Sequence, residues 1–176
     1  MRFVETSLAG AFVVEIEPIE DERGSFARTF SRDEFDAHGL STDIVQCSIS
    51  FNKRRGTLRG MHFQAEPYGE CKLVRCTTGS IYDVIVDLRP ESATYRHWFG
   101  IDLTPVNGRM LYIPNGLAHG FQTLEDTTEV AYQISEPYRP KHARGVRFDD
   151  PAFRIEWPLQ VTVISARDRE YADLDS

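Results

Sequence analysis

Short apolar runs with a period of two, each bounded by turn-forming residues, are the strongest constraint on what this chain can fold into. The clearest spans 80–88: Tyr82, Val84, Val86 and Leu88 alternate with Ile81, Asp83, Ile85 and Asp87, which puts two acids on one face. Similar runs recur at 12–16, 57–64, 72–76, 98–103, 109–113, 118–123 and 128–134. Many short strands at regular spacing predict an all-β sandwich or barrel. Helical signal is thin. Ser31-Arg32-Asp33-Glu34 has the form of a capping box and predicts one short helix ending near Gly39, and a second short helix is expected after Ser165. No repeat or low-complexity linker divides residues 1–176, so a single domain is expected.

Charge and cysteine content narrow the function classes. Lys and Arg number 20 against 27 Asp and Glu, a net charge of −7, which argues against nucleic acid or an anionic membrane as partner. A local basic pocket for a phosphorylated small molecule is still compatible with it. No stretch approaches the ~20 apolar residues of a membrane span, and residues 1–18 lack the basic-then-apolar order of a signal peptide. Cys47, Cys71 and Cys76 are too sparse for a disulfide scaffold and fit a reducing compartment. A cytoplasmic protein is expected.

Two segments carry more than strand signal. Gly108, five residues, Pro114-Asn115-Gly116, two residues and His119 resemble the second cupin motif. Gly56 to Gln64 resembles the first, except that the usual H-x-H pair is His62-Phe63-Gln64 and the nearest following acid, Glu70, is out of register. A metal cupin binds through three His and one Glu, so this departure weakens a metal reading. The likeness then becomes narrower. Leu58-Arg59-Gly60-Met61-His62-Phe63-Gln64, Lys72-Leu73-Val74-Arg75, Asp83 to Arg89, Ala118-His119-Gly120-Phe121, Asp149-Asp150-Pro151 and Ser165-Ala166-Arg167-Asp168 occur in one order. Together they resemble the dTDP-4-dehydrorhamnose 3,5-epimerases, across nearly the whole chain.

That resemblance implies a metal-free cupin (jelly-roll) barrel with no cofactor, usually a homodimer, acting on a nucleoside-diphosphate 4-keto-6-deoxyhexose. Epimerisation beside a ketone needs a base, a stabiliser of the enolate oxygen and an acid on the far face. By resemblance these are His62 with its partner Asp168, Lys72, and Tyr132. Arg59 and His119 are expected to bind the sugar, and Arg23 and Tyr138 the diphosphate-nucleotide end. Phe26, Gln46 and Ser48 complete the substrate-binding set. Strict alternation puts Arg59 and His62 on opposite strand faces, so sharing a site requires a bulge, which Gly60 permits. Asp83 and Asp87 compete as carboxylate partners for a histidine, and Cys76, on the face of Lys72, is expected near the pocket wall. Segment 11–16 is expected to be the arm of a dimer built by strand exchange or sheet extension.

Three positions depart from the family pattern: Ile19, Arg28 and Ser48. They lie in ligand-holding segments and leave the sugar, the nucleotide and the number of carbons inverted less constrained than the chemistry. Single-site C3 or C5 epimerisation and ketoisomerisation share the enolate step. Two further classes remain open from the sequence: a metal-dependent cupin oxygenase using His62, His119 and Glu70, and a cupin that only binds a sugar nucleotide.

Overall fold

The computed structural model describes residues 1–174. Its strands are β1 (Arg2–Glu5), β2 (Phe12–Glu15), β3 (Ile19–Asp21), β4 (Gly24–Phe26), β5 (Gln46–Asn52), β6 (Leu58–Gln64) and β7 (Lys72–Thr78). They continue as β8 (Ile81–Asp87), β9 (Trp98–Leu103), β10 (Arg109–Ile113), β11 (Leu117–Thr123), β12 (Thr128–Ile134) and β13 (Ala143–Gly145). The helices are α1 (Arg32–Ala37) and α2 (Ala166–Arg169). A six-stranded sheet runs β1-β2-β10-β7-β12-β5 and a five-stranded sheet runs β13-β6-β11-β8-β9. All their pairings are antiparallel. The interleaved orders β10-β7-β12-β5 and β6-β11-β8-β9 are those of the expected jelly roll.

Between the sheets lies an apolar layer including Val74, Ile81, Ile85, Leu111, Phe121 and Val130, all essentially inaccessible. It fills one end of the barrel and leaves the other end free for polar side chains. The clear alternation of β8 has a simple consequence. Ile81 and Ile85 enter this layer, whereas Val84 and Val86 pack outward beneath Val146, Phe153 and Trp157 of the C-terminal segment. Both faces of β8 are buried. The acids of the inner face have separate partners. Asp87 accepts from Arg89, Ser92 and Thr94, which outweighs its burial and holds the carboxyl below the ordinary range. It pins the loop after β8, and Asp83 alone is left for a histidine.

Helix α1 forms without its expected capping box: Ser31 makes no side-chain cap. Glu34 is instead taken by the Met1 ammonium at 2.8 Å and Arg28 at 3.1 Å. The cap would contribute about 1 kcal/mol, less than the ~2–3 kcal/mol from burying Phe35 against the outer face of the six-stranded sheet. Packing decides. In α2 the Ser165 hydroxyl does accept from the Asp168 amide, at 3.0 Å.

Two expectations are corrected. The segment expected to be the dimer arm is β2, which is no open edge: β1 and β10 of its own chain pair with it on both sides, and the edges of that sheet are β1 and β5. Cys76 packs with Val74 in the barrel core, below the pocket rather than on its wall.

Candidate active site

The open end of the barrel holds a cavity of about 320 Å³, large enough for part of a small ligand. The five-stranded sheet contributes Arg59, His62 and Gln64 from β6 and His119 and Phe121 from β11. The opposing six-stranded sheet contributes Gln46, Ser48 and Ser50 from β5, Lys72 from β7 and Tyr132 from β12. Tyr138 stands at the mouth, about half exposed.

A glycine pair makes the arrangement possible. Gly60 has φ +144°, and a Cβ there would lie 2.6 Å from the Gly120 Cα. A Cβ on Gly120 would lie 2.6 Å from the Met61 sulfur and 2.8 Å from the Arg59 carbonyl oxygen. Without side chains the backbones of β6 and β11 approach closely, and the ladder shifts register between His119 and Phe121. The bulge turns Arg59 and His62 into the same cavity and sets His62 directly opposite His119.

Each histidine leans on a buried carboxylate. His62 Nε2 is 2.8 Å from Asp168 Oδ1, and His119 Nε2 is 2.7 Å from Asp83 Oδ1. A carboxylate only accepts, so Nε2 carries the hydrogen in both rings, and in the neutral form of His62 the lone pair is on Nδ1. Asp168 reaches His62 because the irregular C-terminal segment bonds alongside β6. Leu58 donates to the Val163 carbonyl at 2.8 Å, and the Gly60 amide donates to Asp168 Oδ2 at 3.3 Å. Burial alone would raise the Asp168 carboxyl. The bond from His62, the charge of that imidazole when protonated and the bonds at Gly60 and Ser165 together hold it below its ordinary range. It is ionised at neutral pH.

On the opposite wall, burial pushes the Tyr132 phenol well above its ordinary range; the Asp83 carboxylate adds to this and the Arg59 guanidinium opposes it. The tyrosine keeps its proton at neutral pH. Its ring meets the His119 imidazole edge-on, with centroids 6.1 Å apart. Lys72 Nζ is 2.6 Å from Glu70 Oε1, with both side chains about nine-tenths buried. Arg59 is steadied by Asn52, at 2.7 Å, and Gln46 accepts from the Tyr138 amide at 3.2 Å. A proton acceptor on one sheet and a proton donor on the other can serve two faces of a molecule held between them.

The chain does not bring Arg23 or Phe26 to this cavity. Both lie on the exposed hairpin β3–β4, Phe26 is 76% accessible, and the hairpin residues line a separate shallow surface depression. Ile19 and Arg28 are likewise outside the cavity, whereas Ser48 lines it. The sequence reading missed Asn52, Glu70 as a partner of Lys72, and the mouth residues Arg144 and Arg167. Arg167 adjoins Asp168 and Glu70 lies two residues before Lys72, so proximity to motif residues was the available signal.

Residues 5–176 match the family model described as dTDP-4-dehydrorhamnose 3,5-epimerase. A dTDP-4-dehydrorhamnose 3,5-epimerase of Methanothermobacter thermautotrophicus is 45% identical, with 98% of this chain and 94% of that protein covered. The crystal structure of the Elizabethkingia anophelis enzyme of that name superposes with a TM-score of 0.96 at 32% identity, covering 99% and 97% of the two chains. A Legionella pneumophila epimerase solved in complex with dTDP-4-keto-L-rhamnose gives a TM-score of 0.89 at 33% identity, over 95% and 89%.

Proposed function

The chain belongs to the dTDP-4-dehydrorhamnose 3,5-epimerase family and is an isomerase-class enzyme, and on that premise we propose how its cavity works. The substrate is dTDP-4-dehydro-6-deoxy-D-glucose, converted to dTDP-4-dehydro-L-rhamnose by inversion at C3 and C5. Both carbons flank the C4 ketone, so removing either proton gives an enolate. His62 Nδ1 takes the proton, and Asp168 orients the ring and stabilises the imidazolium that forms. Lys72 faces the enolate oxygen. Tyr132 returns a proton from the other side. The observation that carries this reading is the placement of His62 and Tyr132 on opposing sheets of one cavity.

Recognition of the nucleotide end follows from charge. Although the molecule is acidic overall, Arg59, Arg144 and Arg167 line the cavity and its mouth beside Tyr138, a setting for a diphosphate. Arg59 and His119 hold the sugar, with Gln46 and Ser48 on the facing wall. The three groups that a metal-cupin reading needs have other partners: His62 has Asp168, His119 has Asp83 and Glu70 has Lys72. Purified protein given dTDP-4-keto-6-deoxyglucose should form the L-rhamno product at an unchanged rate in excess chelator. Loss of turnover in chelator, restored by iron or manganese, would overturn the mechanism.

A homodimer fits the same reading. Ile49 and Phe51 on edge strand β5, with Ile19 and Phe26 on the hairpin, are exposed apolar side chains that a second copy would cover. Arg23 and Phe26 reach a substrate only if a partner copy receives this hairpin at its own cavity. A sedimentation mass near 40 kDa, twice the 20.1 kDa chain, is expected at micromolar protein; a mass near that of one chain would contradict it. The free thiols of Cys47, Cys71 and Cys76 suit a reducing compartment such as the cytoplasm.

A further inference from the structure

Glu70 lies in the loop between β6 and β7, and that loop is held in place at several points. The Cys71 amide donates to the Ser135 hydroxyl at 2.8 Å, and the Ser135 amide donates to the Cys71 carbonyl at 3.0 Å. A Cβ on Gly69 would lie 1.9 Å from the Asn115 side chain, so the loop packs directly against the β10–β11 connection there. This backbone delivers the Glu70 carboxylate into the cavity, 2.6 Å from Lys72 Nζ. The ammonium also lies 3.5 Å from the His62 carbonyl oxygen. An ammonium has three N–H donors in tetrahedral directions. Glu70 and the His62 carbonyl orient two of them, which aims the third.

We propose that Glu70 is a positioning residue for Lys72: its carboxylate anchors the ammonium and supplies the counter-charge that so enclosed a cation requires. A buried charge without a partner is costly, and removing one member of a buried pair leaves the other uncompensated. The pair therefore keeps a cation beside the reaction space with one donor left for a substrate oxygen. The carboxylate does not itself touch the reacting atoms. This inference rests on the reading that Lys72 serves the enolate oxygen.

The test compares Glu70→Gln, Glu70→Asp, Lys72→Met and the double variant E70Q/K72M, by kcat and KM separately. Glu70→Gln keeps shape but not charge and should lower kcat about 10–100-fold, as misplacing a catalytic group does, with KM changed less than about threefold. Glu70→Asp should recover part of that loss. In the Lys72→Met background, Glu70→Gln should cost less than about twofold more, because its effect passes through the lysine. A second readout needs no turnover: acylation of Lys72 by acetic anhydride, followed by peptide mass spectrometry. An amine released from its ion pair should acylate roughly fivefold or more faster in Glu70→Gln, on the scale of one lost buried partner. Full kcat with unchanged acylation, or an undiminished Glu70→Gln loss in the Lys72→Met background, would overturn the proposal. Full turnover in Lys72→Met would instead remove the lysine from the mechanism, and the acylation rate would still decide whether Glu70 holds it.

Discussion

His62→Ala should abolish exchange of substrate C–H for solvent deuterium at both carbons next to the ketone. The base is the single group that starts each inversion, and its loss leaves no acceptor aligned with the proton. Removing a general base costs on the order of 10²–10⁴-fold, so activity should fall to the lower end of detection. Asp168→Asn should be milder. The imidazole survives, but it loses the ionised carboxylate that accepts from Nε2 at 2.8 Å. The amide can also donate to Nε2, which permits the wrong tautomer and puts the hydrogen on Nδ1, where the base must be free. NMR-detected exchange in both variants checks this order. Substantial exchange in His62→Ala would move the role of base elsewhere, and His119, directly opposite across the strand pair, would be next in line.

Tyr132→Phe should separate exchange from inversion. The phenol is held protonated by burial and by the nearby Asp83 charge, which suits an acid and not a base. Without the hydroxyl, His62 can still lift a proton and return one to the same face. Deuterium should then enter the substrate while net epimer formation falls about 10²-fold or more, the scale of a lost general acid. Comparing isotope incorporation with product formation in one sample reads both quantities. Full inversion in Tyr132→Phe would return this tyrosine to the cavity wall. Loss of exchange and inversion together would make its role structural.

Much of the barrel was legible because its core strands obey a two-residue period. Strands β7 to β12 lie within two residues of where alternation places them. Strand β5 was missed for a physical reason: its pattern is inverted. Gln46, Ser48 and Ser50 face the cavity, while Cys47, Ile49 and Phe51 face outward and are exposed. Hydrophobic periodicity identifies a buried apolar face, and this strand's enclosed face is polar because it lines the site. The hairpin β3–β4 is exposed throughout and leaves no burial signal at all. Strand β1 is as long as β2 but mostly exposed, and β13 spans only three residues, so neither left a signal.

The site was legible in its motif residues and not in their supports. The bulge at Gly60 was readable, since Arg59 and His62 could share a cavity only through it. Asp168 comes from a segment without periodicity, and its contact with Gly60 spans 108 residues of sequence. Resemblance proposed the pairing with His62, and the strand-like bonds of 57–58 to 163 supply the physical means. Glu70 was read as a displaced metal ligand because sequence showed its spacing from His62 but not its contact with Lys72. Asp83 and Asp87 were indistinguishable on one strand face. The Ser92 and Thr94 hydroxyls and the Arg89 guanidinium, all beyond the strand, claim Asp87 and leave Asp83 to His119.

The central claim is that one base and one acid, on opposing sheets, invert carbons flanking the ketone through an enolate. Turnover of dTDP-4-keto-6-deoxyglucose by the unaltered enzyme in D₂O, resolved by carbon position with NMR, tests it most directly. The account predicts solvent deuterium at C3 and C5 of the product and none at C2, which does not adjoin the ketone. Product that retains the substrate's own hydrogen at C3 and C5 would contradict it.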